Sequence, residues 1–240
     1  IRRTADGGFE EPAVNVAVFR QNTEGLYAGL EWTDPPQNVY DALATHPKFK
    51  NWKKYDKSEL AISTRVFSRP ATRRIMKAAF QYAEKHGYKS VTVCEKPNVL
   101  RETSGMMEMV AQEVQKEHPS IQHWSTNIDA QMMWLTKNPE DYGVVVAGNM
   151  FGDIVSDAFA GLVGGLGFAA SGNIGDEVAV VGAGNMCGTY VTAVGNVPGA
   201  EVVGVVSRSR RRPVSPRLRP AAALLAPMAF RSRIRSVTPA

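Results

Sequence analysis

The chain has 240 residues, enough for one large domain or two small ones. It is 44% hydrophobic and 21% charged, an ordinary globular balance. No apolar run approaches the roughly 18 residues of a membrane span, so a membrane role is not expected. The net charge of +5 is unevenly placed: residues 181–240 hold nine Arg, no Lys and one acid, Glu201, a net of +8. That leaves 19 basic and 22 acidic side chains, or −3, over the first 180 residues, so a nucleic-acid role for the whole chain would rest on the C-terminal stretch alone. Two cysteines, Cys94 and Cys187, suggest no disulfide framework and make a reducing compartment, matrix or cytoplasm, the default. The first residue is Ile1 and no leader pattern follows, so a fragment or an absent true start is expected.

In chain order, residues 13–20 alternate as a strand that ends at Arg20. A polar turn follows, with Tyr27 between Gly25 and Gly29. Arg captures carboxylates bidentately and Tyr offers a hydroxyl that donates or accepts, although a plain hairpin turn explains the same residues. Residues 31–58 are polar, with Trp32, Pro35-Pro36, Trp52 and lysines at 48, 50, 53, 54 and 57. Interleaved acids make this a solvated arm leaving the domain, followed by a strand at Ala61–Phe67. Ser68-Arg69-Pro70 opens a helix that runs to about His86 and stops at Gly87. Ile75, Met76, Ala79, Phe80, Tyr82 and Ala83 give its apolar face. A strand at Val91–Cys94 leads into Glu95-Lys96-Pro97-Asn98. A helix over Gly105–Glu117 presents Met106, Met109, Val110 and Val114 to the core. Ile121–Thr126 reads as a short strand, and Asp129 opens a helix through Met132, Met133 and Leu135.

The apolar run Gly143–Gly148 reads as a buried strand that turns through Gly152 into a helical pattern. Asp153 and Asp157, four residues apart, share one helical face. They leave the C-terminal end of a strand, where open α/β sheets bind ligands. Paired carboxylates suit Mg²⁺ or Mn²⁺; two solvated acids at a helix start suit the pattern as well. The repeated strand–helix alternation indicates an α/β domain. Arg20, Lys96 and Asp153 each fall just beyond a strand. Lys96 there is either a proton donor or acceptor, if burial lowers its pKa, or an exposed loop lysine.

Four separated motifs resemble the metal-dependent decarboxylating dehydrogenases of isocitrate, isopropylmalate and related 2-hydroxy acids. They are Phe19–Gly29; Glu95–Val99 with Thr103-Ser104-Gly105; Asp129–Met133; and Asn149–Asp157, continuing to Gly164–Gly167 and Ser171–Gly175. The match covers residues 14–180, and its details look closest to isocitrate dehydrogenases of the NAD-using type. It implies the isocitrate/isopropylmalate dehydrogenase-like α/β fold, here incomplete. Residues 1–163 would form a substrate-binding and dimerisation domain with a clasp at about 30–67. Residues 164–180 would begin the return to a large cofactor domain, most of which is missing.

The resemblance also implies chemistry. The reaction would be oxidation of isocitrate to 2-oxoglutarate and CO₂ with NAD, or alternatively NADP, and Mg²⁺ or Mn²⁺. Arg20 would grip a substrate carboxylate, and Tyr27 would protonate the enol carbon after CO₂ leaves. Lys96 would help take the hydroxyl proton, and Asn98 would touch substrate or nicotinamide ribose. Asp129, Asp153 and Asp157 would hold the metal. Sites would be shared across a homodimer, with Lys96 and Asp129 serving the partner's site. Gln21 departs from the pattern, which usually has Glu there. An incompetent fragment, a regulatory subunit, or an enzyme for isopropylmalate, homoisocitrate or tartrate is the alternative.

Beyond Val180 the family's run of cofactor-binding residues is replaced. Val178–Gly188 reads as a strand entering Gly182-x-Gly184-x-x-x-Gly188, with Ser207 and Arg208 after a second strand-like run. This is similar to the first βαβ unit of dehydrogenases of the glucose–fructose oxidoreductase type. That likeness implies glycines against a pyrophosphate and Ser207 and Arg208 on a 2′-phosphate. A frameshift or joined reading frame accounts for the same stretch. Residues 208–240 are rich in Arg, Pro and Ala and read as disordered. Phe230 is the lone ring among their arginines, so nucleic acid is not the expected partner.

Overall fold

A computed structural model describes residues 2–10, 14–166, 169, 171–175 and 179–181. In chain order it contains β1 (Arg2–Arg3), β2 (Phe9–Glu10), β3 (Ala17–Arg20), β4 (Glu31–Thr33), α1 (Gln37–Ala44), β5 (Ala61–Ser63), α2 (Arg69–Lys85), β6 (Ser90–Glu95), α3 (Thr103–Gln115), β7 (Gln122–Asn127), α4 (Ile128–Lys137), β8 (Val144–Ala147), α5 (Asn149–Leu162), β9 (Gly172–Ile174) and β10 (Ala179–Val181). The chain divides after Leu162 into two units.

The first unit is built on a parallel sheet in the order β3-β8-β6-β7. Parallel strands covered on both faces read as continuous apolar runs, and Val144, Val145, Val146 and Ala147 are all fully buried. Val144 and Val146 join Val91 and Val93 in a core with Met76, Phe80 and Ala83 of α2 and Met107, Val110 and Val114 of α3. Val145, Ala147 and Cys94 join Ile128 and Leu135 of α4 and Phe151, Val155 and Phe159 of α5 in a second core. The architecture is therefore α/β, with a helix pair against each set of alternating strand residues. Each fully buried Val, Met or Phe contributes about 1.5–3 kcal/mol by leaving water. Burial also pushes the Cys94 thiol up to about 12.

Helix α2 forms as its sequence dictates. Ser68 caps it by accepting from Ala71 N at 3.4 Å, Pro70 sits in the first turn, and Gly87 follows its end at φ +74°. In α3 the buried methionine is Met107, while Met109 is 53% exposed. Met107 lies three residues before Val110 and seven before Val114, on their face, whereas Met109 is turned about 100° away from Val110. Strand β3 begins at Ala17 rather than residue 13, because its partner begins at Val144, opposite Ala17. Val14 and Val16 still pack against the core, so their alternation marks burial rather than pairing. Likewise β5 stops at Ser63, opposite Glu31 of β4, and does not continue to Phe67.

Between β4 and β5 the chain makes an arm with little core. Tyr40 meets Phe49 edge to face at 5.4 Å, and Phe49 meets Trp52 at a tilt at 6.0 Å. Pro35 is the one buried residue of positions 31–64. In the second unit, Gly164 and Gly165 take positive φ, and β9 pairs antiparallel with β10. Gly182, Gly184, Gly188, Ser207 and Arg208 lie outside the described residues. Among the described residues no helix is long and apolar enough to cross a membrane.

Candidate active site

Strand register decides which side chains meet. Arg20 closes β3 opposite Ala147, the last residue of β8, and α5 starts two residues later. The guanidinium therefore lies against the first turn of α5. Its Nε and Nη2 donate to Asn149 Oδ1 at 3.0 and 2.9 Å, and its Nη1 pairs with Asp153. A Cβ added at Gly152 would stand 2.8 Å from Arg20 Cβ and Cγ. Gly152 thus does not form the turn into the helix that its sequence suggests. The helix already runs from Asn149, and the glycine is needed for the close approach of Arg20.

Tyr27 reaches the same place from a 3-10 turn at Leu26–Ala28, between Gly25 at φ +85° and Gly29 at φ +69°. Its hydroxyl donates to Asp153 Oδ2 at 3.1 Å, and its ring centre lies 5.7 Å from the Arg20 guanidinium carbon. Partial desolvation, the hydrogen bond to Asp153 and the charge of Asp153 raise the phenol above its ordinary range. Arg20 opposes them, and Asp157 adds a smaller push in the same direction. Asp157 itself is exposed, one turn beyond Asp153. Arg20, Tyr27, Asp153 and Asp157 are thus one electrostatic group. Gln21 stays out of it: its Oε1 accepts from Thr23 N at 2.8 Å and Glu24 N at 2.9 Å. Its Nε2 donates to Thr23 Oγ1 at 2.6 Å, a contact that Glu, lacking an N–H, would make only by accepting from that hydroxyl.

A second pair forms at the neighbouring strand ends. Glu95 of β6 lies opposite Asn127 of β7, so the residues just beyond them come together. Lys96 Nζ stands 2.6 Å from Asp129 Oδ1. The bond to Lys96, with backbone N–H groups in the first turn of α4, holds the Asp129 carboxyl below the usual range. Asn98 is exposed in the following turn.

Among the described residues no three His, Cys, Asp or Glu are gathered around one point. Asp129 is committed to Lys96, while Asp153 and Asp157 stand together. One or two carboxylates are the usual protein share of a Mg²⁺ site, with water and substrate oxygens completing it. The donor set at Asp153 and Asp157 fits that share. Arg65, Glu95 and Asn149 escape the sequence reading of the site. A charged residue inside the apolar stretch Ala61–Phe67 was the available signal for Arg65.

Comparisons with known proteins identify the family. The family model described as isocitrate/isopropylmalate dehydrogenase matches residues 8–196. A 3-isopropylmalate dehydrogenase of Archaeoglobus fulgidus is 38% identical over 169 residues, which are 70% of this chain and 45% of that protein. One of the mitochondrial NAD isocitrate dehydrogenase regulatory subunits of Dictyostelium discoideum is 37% identical over 164 residues, 68% of this chain and 40% of that protein. The crystal structure of isocitrate dehydrogenase from Methylococcus capsulatus superposes with a TM-score of 0.56 at 38% identity, covering 67% of this chain and 42% of that one. The chain spans less than half the length of each of these relatives. With the family model matching more than half of its length, the chain belongs to the isocitrate/isopropylmalate dehydrogenase family.

Proposed function

We propose that this chain is the substrate- and metal-facing part of an enzyme that oxidatively decarboxylates isocitrate to 2-oxoglutarate, using NAD or alternatively NADP with Mg²⁺ or Mn²⁺. The observation that carries the reading is the direct contact of Arg20 and Tyr27 with Asp153 at adjoining strand ends. Arg20 would exchange its internal carboxylate for one on the substrate, a bidentate geometry that suits guanidinium. Tyr27, its pKa raised, keeps its proton at neutral pH and would deliver it to the carbon that loses CO₂. Lys96 would receive the hydroxyl proton, and the exposed Asn98 would contact substrate or nicotinamide ribose. A divalent cation held by Asp153, Asp157 and Asp129 would polarise the forming carbonyl and stabilise the charge left as CO₂ departs.

The same reading makes the protein a homodimer, with Lys96 and Asp129 completing the partner's site. Two observations support it. The arm at 31–64 has almost no core of its own, and a two-stranded hairpin is marginal alone. Met133 and Trp134 of α4 and Ile154 and Leu162 of α5 are between 42% and 49% exposed, an apolar surface that calls for a cover. Residues 1–163 would be the substrate and dimer domain, 30–67 its clasp and 164–180 the return to a cofactor domain. Nucleotide contacts at Gly182, Gly184, Gly188, Ser207 and Arg208 rest on the sequence pattern alone.

A second reading, favoured by the likeness to a regulatory chain of the Dictyostelium enzyme, is a protein that binds ligand without turnover. Other 2-hydroxy acids, isopropylmalate first, are the substrate alternatives. Incubation with isocitrate, Mn²⁺ and NAD or NADP tests the first reading through the absorbance of the reduced nicotinamide. Turnover supports it. No reduction with either nucleotide, together with a thermal shift by Mn²⁺ and isocitrate, supports the second. Neither signal contradicts both.

A further inference from the structure

The segment Arg65–Ser68, where the arm returns to α2, touches the turn that carries Tyr27, the end of β6 before Lys96 and the first turn of α5. Val66 O accepts from Gly25 N at 2.9 Å, and Ser68 N donates to Glu24 Oε2 at 2.8 Å. A Cβ at Gly25 would stand 3.2 Å from Phe67. These contacts fix the turn that presents Tyr27. Arg65 Nη2 pairs with Glu95 Oε2 at 2.8 Å, and its Nη1 reaches Ser104 Oγ at 3.3 Å. Ser104 Oγ donates to the same Glu95 oxygen at 2.7 Å and accepts from Lys96 N at 3.3 Å. The other Glu95 oxygen accepts from Gly148 N at 2.8 Å. The guanidinium lies between Phe67 and Phe151, 4.5 and 4.9 Å from their ring centres.

Glu95 is 1% exposed and ends β6, which runs between β7 and β8. One buried carboxylate therefore holds both the turn that begins with Lys96 and the junction that leads to Asn149. The fit leaves no slack: a Cβ at Gly148 would stand 2.6 Å from Glu95 Oε1. A buried ion pair is weak evidence of stability, since a packed apolar pair often does as well. Arg65 Nε is buried with no hydrogen-bond partner, an unmet donor of the kind tolerated where function outweighs stability.

We infer that Arg65 and Glu95 are positioning residues that lock the Lys96–Asp129 pair and the Arg20–Asn149–Asp153 cluster into one register. In a homodimer with shared sites, the pair couples the site this chain completes to the site it donates to. That consequence rests on the proposed function; the register lock itself does not. Amide hydrogen exchange on the ligand-free full chain tests the lock. In Arg65→Met, amides of Lys96–Leu100 and of Asn149–Asp153 should accelerate together, while those of Ala79–Ala83 and Val110–Val114 keep wild-type rates. Arg65→Lys keeps the charge but loses the planar fork and should fall between. Acceleration of one stretch alone, of neither, or uniformly along the chain overturns the inference. If Arg65→Met does not fold, Glu95→Gln, which retains an oxygen for Gly148 N, replaces it with the same expectations. Calorimetric titration with Mn²⁺ and isocitrate separates the two ideas. No binding by the wild type defeats the proposed function and leaves the exchange result to decide the lock. Wild-type binding should weaken by about tenfold or more in Arg65→Met, and an unchanged Kd overturns the positioning role.

Discussion

In the proposed reaction Tyr27 gives up a proton rather than gripping the substrate. It is half exposed, donates to Asp153 Oδ2, and its pKa is raised by partial desolvation and that carboxylate. Tyr27→Phe should therefore lower kcat by about 10²–10⁴-fold while Mn²⁺ and isocitrate still raise the melting temperature. Loss of that thermal shift would assign Tyr27 to binding instead. The residue types at this site were legible in the sequence, because Arg20, Tyr27 and the two aspartates stand at motif spacings. Their mutual contacts were not. They depend on Arg20 lying opposite Ala147, a register set between residues far apart in the chain. Arg65 was hidden for a related reason: its neighbours Ile62, Val66 and Phe67 make the stretch look like an ordinary strand, and its partner Glu95 is 30 residues away.

Among the elements, α2 shows how far local chemistry reaches. Ser68 caps the helix, and its hydroxyl also bonds Glu24 from the Tyr27 turn. Ser68→Ala should cost about 0.5–2 kcal/mol for the cap, read as a lower denaturation midpoint, and should also loosen the turn. Where elements differ from their sequence pattern, pairing is the cause. β3 starts opposite the first residue of β8, β5 stops opposite the first residue of β4, and α5 starts at Asn149, with Gly152 serving a contact rather than a turn. Acid sensitivity belongs at this scale too. Glu108 of α3 faces His123 and Ser125 of β7, and the bond to His123 holds its carboxyl below the usual range. A lowered folded pKa stabilises above the unfolded value, about 4.3, and the contribution is lost as pH falls through the folded value. Melting temperatures measured on acidification should therefore drop less steeply for Glu108→Gln than for the wild type; identical curves would remove Glu108 from the account.

For the whole molecule, the two strand-end clusters make a prediction that no single-chain site would. If Lys96 and Asp129 serve the partner's site, Lys96→Ala and Asp153→Asn chains are each deficient alone. Refolded together, mixed dimers hold one site with both residues intact, so binding of Mn²⁺ and isocitrate should return in part. No recovery, with dimers confirmed by sedimentation, would place both clusters in one chain's site. The central claim, that Asp153 is the metal and substrate end of this cluster, is tested most directly by thermal denaturation of the wild type and Asp153→Asn with and without Mn²⁺ and isocitrate. The Arg20–Asp153 pair is partly solvated, with side chains 30% and 37% exposed, and contributes only about 0–1 kcal/mol, so the ligand-free melting temperatures should nearly coincide. Mn²⁺ and isocitrate together should raise the wild type's by ligand linkage and leave the variant's unmoved; an equal rise in both would contradict the account.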